Sequence, residues 1–182
     1  MTSSSYEACW AQALVETLGE EAAQRFWSSL APVEPHAIAV TLGQALERHF
    51  GRHAGLGVAV RVGQALFRHL PALHPRAADL PWRMLPVRQR VLQGLTWLLR
   101  EITPALGLEA RVDASGAGWS VEARWRVSGT PSATAPRCRL WQGFFQEALY
   151  WLTGRVYPVF LQTTQAEGEE RCTFFVPAQP LY

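Results

Sequence analysis

The sequence predicts an α+β protein, N-terminal helices packed on a four-stranded antiparallel sheet. Apolar residues recur at three-to-four spacing as far as Ile102. From Leu108 the period drops to two, as in half-buried strands. One further helical stretch then separates two pairs of strands, giving a β-β-α-β-β C-terminal half.

Taken in order, Tyr6 to Leu30 reads as helix through Ala8, Trp10, Ala11, Leu14, Val15, Leu18, Ala22, Phe26 and Leu30, with Gly19 placed to divide it. A second helix runs from His36 to His49 (Ile38, Leu42, Ala45, Leu46). Gly51 to Gly57 breaks the pattern, and a third helix covers Val58 to Leu70. Pro71, Pro75, Pro81 and Pro86 mark an irregular connector. Pro86 suits the first turn of a helix through Val91, Leu95, Leu98, Leu99 and Ile102. Leu108–Asp113 and Trp119–Val127 alternate strictly around the hairpin loop Ser115–Gly118. After a Ser/Thr/Pro-rich loop, Cys138–Thr153 is helical and capped by Gly154. Arg155–Thr163 and Arg171–Val176 form the last strand pair. The expected division is a helical extension over 1–35, suited to dimerisation, and a ligand-binding domain over 36–182.

Composition narrows the function. The chain has 182 residues, 48% of them hydrophobic, with a net charge of +2. All its basic residues are arginine, and lysine and asparagine are absent, the pattern of a GC-rich bacterial genome. The arginines are scattered and nearly balanced by acids, which argues against a nucleic-acid footprint. Without lysine, Schiff-base and P-loop chemistry are excluded. Glycine-rich dinucleotide fingerprints, a serine elbow and a Cys-x-x-Cys pair are absent too. The start has no secretion signal, and no apolar run reaches the roughly 18 residues of a spanning helix. The expected location is the cytoplasm.

Eight tryptophans and eight phenylalanines are the chain's most distinctive payload. Trp141, Phe145 and Trp151 share a helix with Phe144, and Trp119 and Trp125 share one strand face. A helix apolar nearly all round must be covered on both sides. The cover is the N-terminal helices, a dimer partner or a ligand. Phe144 is expected in the core, and Trp119, Trp125, Trp141, Phe145 and Trp151 are expected to line a small-molecule pocket, with Arg61, Arg124 and Arg126 as candidate polar groups. Cys9, Cys138 and Cys172 are expected as buried thiols; a disulfide between Cys138 and Cys172 is the alternative, which a reducing cytoplasm disfavours. His49 and His53 share helical spacing without the other residues of a metal motif.

Cys138, Gly143, Gly154, an acidic turn with Gly168, and Cys172-Thr173-Phe174-Phe175-Val176 together resemble the closing motif of the 4-vinyl-reductase-like, hydrocarbon-binding domains. Arg61-Val62-Gly63-Gln64-Ala65-Leu66 is similar to that family's arginine-glycine helix. The resemblance spans about residues 36 to 177. It implies the fold of the TRAPP vesicle-tethering subunits, a homodimer, and an internal apolar pocket for a tetrapyrrole, an acyl chain or a small aromatic. It also implies an accessory, carrier or sensor role, in bacteriochlorophyll synthesis among others, without catalysis or cofactor. A ligand-free adaptor and a true vinyl reductase are the alternatives. The family's zinc pattern maps Cys138 and Cys172 onto its outer positions, with Leu161 and Thr164 in place of the inner two. Leucine has no donor and threonine a poor one, so no metal is expected.

Overall fold

Glycines decide where the first helices begin and end. Gly19 (φ 83°) and Gly51 (φ 79°) take left-handed backbone conformations that other residues adopt at a cost. They cut the N-terminal pattern into α1 (Ser3–Leu18) and α2 (Glu20–Ser28), and the next into α3 (Ile38–Phe50) and α4 (Arg52–His69). α4 thus begins at Arg52 rather than the expected Val58. A Cβ on Gly55 would lie 2.7 Å from the Glu47 Cα and from the Leu46 carbonyl oxygen. That glycine lets α4 fold back closely over α3, and it does not end a helix.

The computed structural model describes residues 3–30, 37–70, 80–106, 109–126, 136–166 and 169–181. The chain divides into two compact units, Met1–Leu70 with Ser132–Phe144, and Pro71–Pro131 with Phe145–Tyr182. The last helix, α7 (Pro136–Thr153), gives its first half to the first unit and its second half to the other.

In the first unit α1 packs on α2 and α4, and α3 on α4. Trp10, Ala13 and Leu14 of α1 are buried, so the apolar stripe of that helix is used within the unit. α4 and α7 cross backbone to backbone. A Cβ on Gly63 would stand 1.8 Å from the Leu140 carbonyl oxygen, and one on Gly143 would stand 1.9 Å from the Val60 carbonyl oxygen.

In the second unit, α5 (Leu80–Arg83) is a short helix within the stretch expected to be irregular; residues 71–79 lie outside those described. α6 (Val87–Leu106) follows, then β1 (Glu109–Ser115), β2 (Gly118–Arg126), β3 (Phe160–Ala166) and β4 (Glu169–Pro177). All neighbours are antiparallel, in the order β1-β2-β4-β3. Trp119 pairs with Val176, and Glu122 lies between Arg111 and Thr173. Because the side-chain period is two, one face carries the buried Trp119, Val121, Ala123, Cys172, Phe174 and Val176. The other carries Arg111, Glu122, Arg124, Arg171 and the exposed Phe175. Phe145 of α7 meets Phe174 at 5.0 Å between ring centroids.

The four expected strands are present, but β3 starts at Phe160 instead of Arg155. Pro158 has no N–H to give a ladder, and the Val156 carbonyl accepts from the Leu181 N–H at 2.8 Å. Among the described residues, no helix is long and apolar enough to cross a membrane.

Candidate functional site

Polar groups converge on the outer face of the sheet. Glu122, whose side chain is 13% exposed, sits where three strands bring arginines together. Arg111 Nη2 donates to its Oε2 at 2.9 Å, and Arg124 Nε donates to its Oε1 at 2.7 Å. Arg171 Nε stands 3.3 Å from the same Oε1. Burial pushes the Glu122 carboxyl up, but the hydrogen bonds from Arg124 and Arg111 outweigh it and hold the group below its ordinary range. Arg111, Glu122 and Arg124, with Glu109 and Ala110, line a pocket of about 270 Å³. A carboxylate so stabilised is a poor general base, and the pocket lining contains no nucleophile. The arrangement clamps strands together and offers no catalytic pair.

Glu122→Gln removes the charge that separates three guanidiniums. The arginines are 38–65% exposed, and solvent screens their repulsion. The expected loss is about 1 kcal/mol at neutral pH, read by urea unfolding. The folded pKa lies below the unfolded one, so the stabilisation is complete above the unfolded value of about 4.3. It is lost as pH falls through the folded value. The gap between wild type and variant should therefore close in acid; a gap independent of pH would contradict this account.

A second cluster joins α1 to α4. Glu16 accepts from Arg68 Nε at 3.0 Å, and its Oε2 is 2.8 Å from His69 Nε2. The Arg68 hydrogen bond, against opposing burial, holds the Glu16 carboxyl below its ordinary range. The Cys9 thiol donates to the His69 carbonyl at 3.1 Å, and burial pushes its pKa up. A thiol in that state is a weak nucleophile.

The sequence-predicted site residues are divided between the two units. Trp141 is buried in the first unit, edge-on to Trp10 (6.4 Å) and Phe144 (5.2 Å). Its indole N–H is buried with no acceptor among the described residues. Trp119 is buried in the second unit against Tyr157 at 6.0 Å, and Phe145 against Phe174. Trp151 is half-buried and Arg61 is exposed on α4. The side chains of Trp125 and Arg126 lie outside the described residues. Among the described candidates Arg124 borders the pocket, whose lining holds no aromatic ring.

Leu161 and Thr164, three apart on β3, face opposite sides of the sheet, so they cannot both turn to one ion. Cys138 and Cys172 are buried but are disulfide-bonded, which corrects the expectation of two thiols; it rested on compartment rather than geometry. Cys9 is the free cysteine.

Sequence reasoning missed the Glu122 cluster. Its members come from three strands, and only the alternation of charge within Glu122-Ala123-Arg124 hinted at it.

No family model matches this sequence, and no curated protein does. Solved structures do. A mutant H-NOX domain of T. tengcongensis has a TM-score of 0.63 at 10% identity, covering 100% of both chains. A Cs H-NOX mutant carrying 4-cyano-L-phenylalanine has a TM-score of 0.63 at 10% identity, covering 100% of this chain and 99% of that one. An oxygen-binding H-NOX domain related to soluble guanylate cyclases has a TM-score of 0.60 at 10% identity, covering 97% of this chain and 95% of that one. At this identity the likeness shows the fold.

It overturns the resemblance to 4-vinyl-reductase-like domains and TRAPP subunits. The expected carrier role in bacteriochlorophyll or other tetrapyrrole metabolism and the vinyl-reductase alternative fall with it. The physical reason lies in the motif itself. Gly63 and Gly143 stand where α4 and α7 touch backbone to backbone, a demand of helix packing that names no family.

Proposed function

We propose that this chain is a sensory domain of the H-NOX type, one that binds a small flat ligand of the haem class and does not convert a substrate. What supports this is the extent of the likeness, which covers nearly the whole of both chains, to domains described as oxygen-binding and as haem-containing.

The described histidines, Cys9, Tyr157 and Met84 do not fit haem iron. An axial ligand is a histidine, a thiolate, a methionine or a phenolate. His49 and His53 are exposed, and His49 lies edge-on to Phe26 and Phe50. His69 is engaged by Glu16. Cys9 and Tyr157 both have raised pKa values, through burial, which disfavours the ligating anion. Met84 is 81% exposed. His36 and His74 lie outside the described residues.

Titration with hemin and with iron-free protoporphyrin, read by tryptophan quenching and absorbance, tests the proposal. One saturable equivalent per chain is expected, with similar affinity for both, since these residues give the iron no bond. Failure of both to saturate would sink the sensory assignment. Much tighter hemin binding, abolished by His36→Ala or His74→Ala, would instead place an iron ligand outside the described residues.

A further inference from the structure

The two edges of the sheet differ in how they are protected. A strand edge presents backbone N–H and C=O groups ready to pair with another chain, and proteins commonly blunt it with charge. β1 does so, with Glu109, Arg111 and Asp113 on one strand. β3, the opposite edge, reads Phe160-Leu161-Gln162-Thr163-Thr164-Gln165-Ala166, with no charge and no proline. Among the described residues it has a partner on one side only, β4.

Burial shows that β3 is little covered from Phe160 to Thr164, with Leu161 alone half-buried among them. Phe160 is 58% exposed, and Gln162, Thr163 and Thr164 are exposed although they alternate between the two faces of the sheet. Both faces of β3 and its free edge are therefore open at the same residues. The ends of the strand differ in charge. The exposed Arg155 precedes it, and Glu169 and Glu170, which open β4, follow it.

We propose that β3 pairs antiparallel with β3 of a second copy of this chain, joining the two sheets into one of eight strands. Antiparallel pairing of identical strands is self-complementary, the isologous arrangement most dimers use. Centred on Thr163, it sets Gln162 of each copy opposite Thr164 of the other and brings no like charges together. The basic end of one strand then lies toward the acidic end of its partner. An amphipathic partner of another kind would need charged groups to match, and β3 offers none. The dimer forms with or without a bound ligand, so its test does not depend on the sensory assignment.

Light scattering at micromolar concentration reads the result on the full chain. The wild type is expected to be dimeric. The variant Gln162→Lys with Thr164→Lys sets lysines opposite lysines at two symmetry-related places. It should weaken association about tenfold, and its melting temperature should be unchanged when measured at concentrations where both proteins are monomeric. Mixing it with Gln162→Glu plus Thr164→Glu should restore dimers, now of one copy of each. A monomeric wild type, a lysine variant that dimerises as well as the wild type, or a mixture that fails to associate would overturn the proposal.

Discussion

Gly63→Ala is expected to destabilise the protein by about 3 kcal/mol. The added methyl would lie 1.8 Å from a backbone oxygen, the Leu140 carbonyl of α7, and a main-chain atom cannot swing aside as a side-chain tip does. Either the helices separate, losing the packing of Val62, Leu66, Leu140 and Phe144 around the crossing, or the clash remains. For a chain of this size the melting temperature should drop by about 6–12 °C. Gly143→Ala should cost a similar amount, since its Cβ would meet the Val60 carbonyl at 1.9 Å. The two losses should not add, because once the helices part for one methyl the second finds space. Gly57→Ala, on the same α4 with nothing within 4 Å of the new Cβ, is the control and should stabilise slightly. Equal effects at Gly57 and Gly63 in thermal melts would show that helix propensity, not the crossing, controls the outcome.

Trp119→Ala should cost about 4 kcal/mol, as large aromatic truncations in cores do. The indole is 1% exposed and edge-on to Tyr157, and its strand pairs with Ala114 on one side and Val176 on the other. Truncation leaves a void on the buried face of an inner strand. Urea unfolding gives the value directly. A loss under about 1 kcal/mol would mean the neighbours collapse into the gap, or that the ring packs less tightly than its burial indicates.

The same residues mark how far a linear pattern of amino acids reaches. Gly63 and Gly143 stand out by chemistry, because glycine inside a strongly apolar helix is costly unless the space is needed. Their cause is not written beside them. They resemble a family signature, whereas backbone contact between α4 and α7 is enough to require them. The alternation in β2 is equally legible, and it places Trp119, Val121 and Ala123 on one face as found. Helix periodicity locates α6 to within a few residues.

Features set by distant partners are hidden from local pattern. Gly55 looks like a helix breaker in sequence, since only the approach of Glu47 explains its place inside α4. The start of β3 depends on Val156 bonding to Leu181, far along the chain. The Glu122 cluster needs the register of three strands before it exists at all. The aromatic residues, prominent in the sequence, are shared between the units, Trp141 falling in the first and Trp119 in the second.

The path of the chain through the two units carries a consequence for biosynthesis. Each unit is made of two stretches separated in sequence, and α7 supplies a part to both. A ribosome delivers the N-terminal helices first, so they emerge while the segment that must close over Gly63 is still untranslated. Neither half can be completed until translation has passed Phe144, and no single cut in the gene separates the two. Nascent chains halted before that point would present raw apolar helix surface, the kind of species that chaperones hold and that aggregates when they do not.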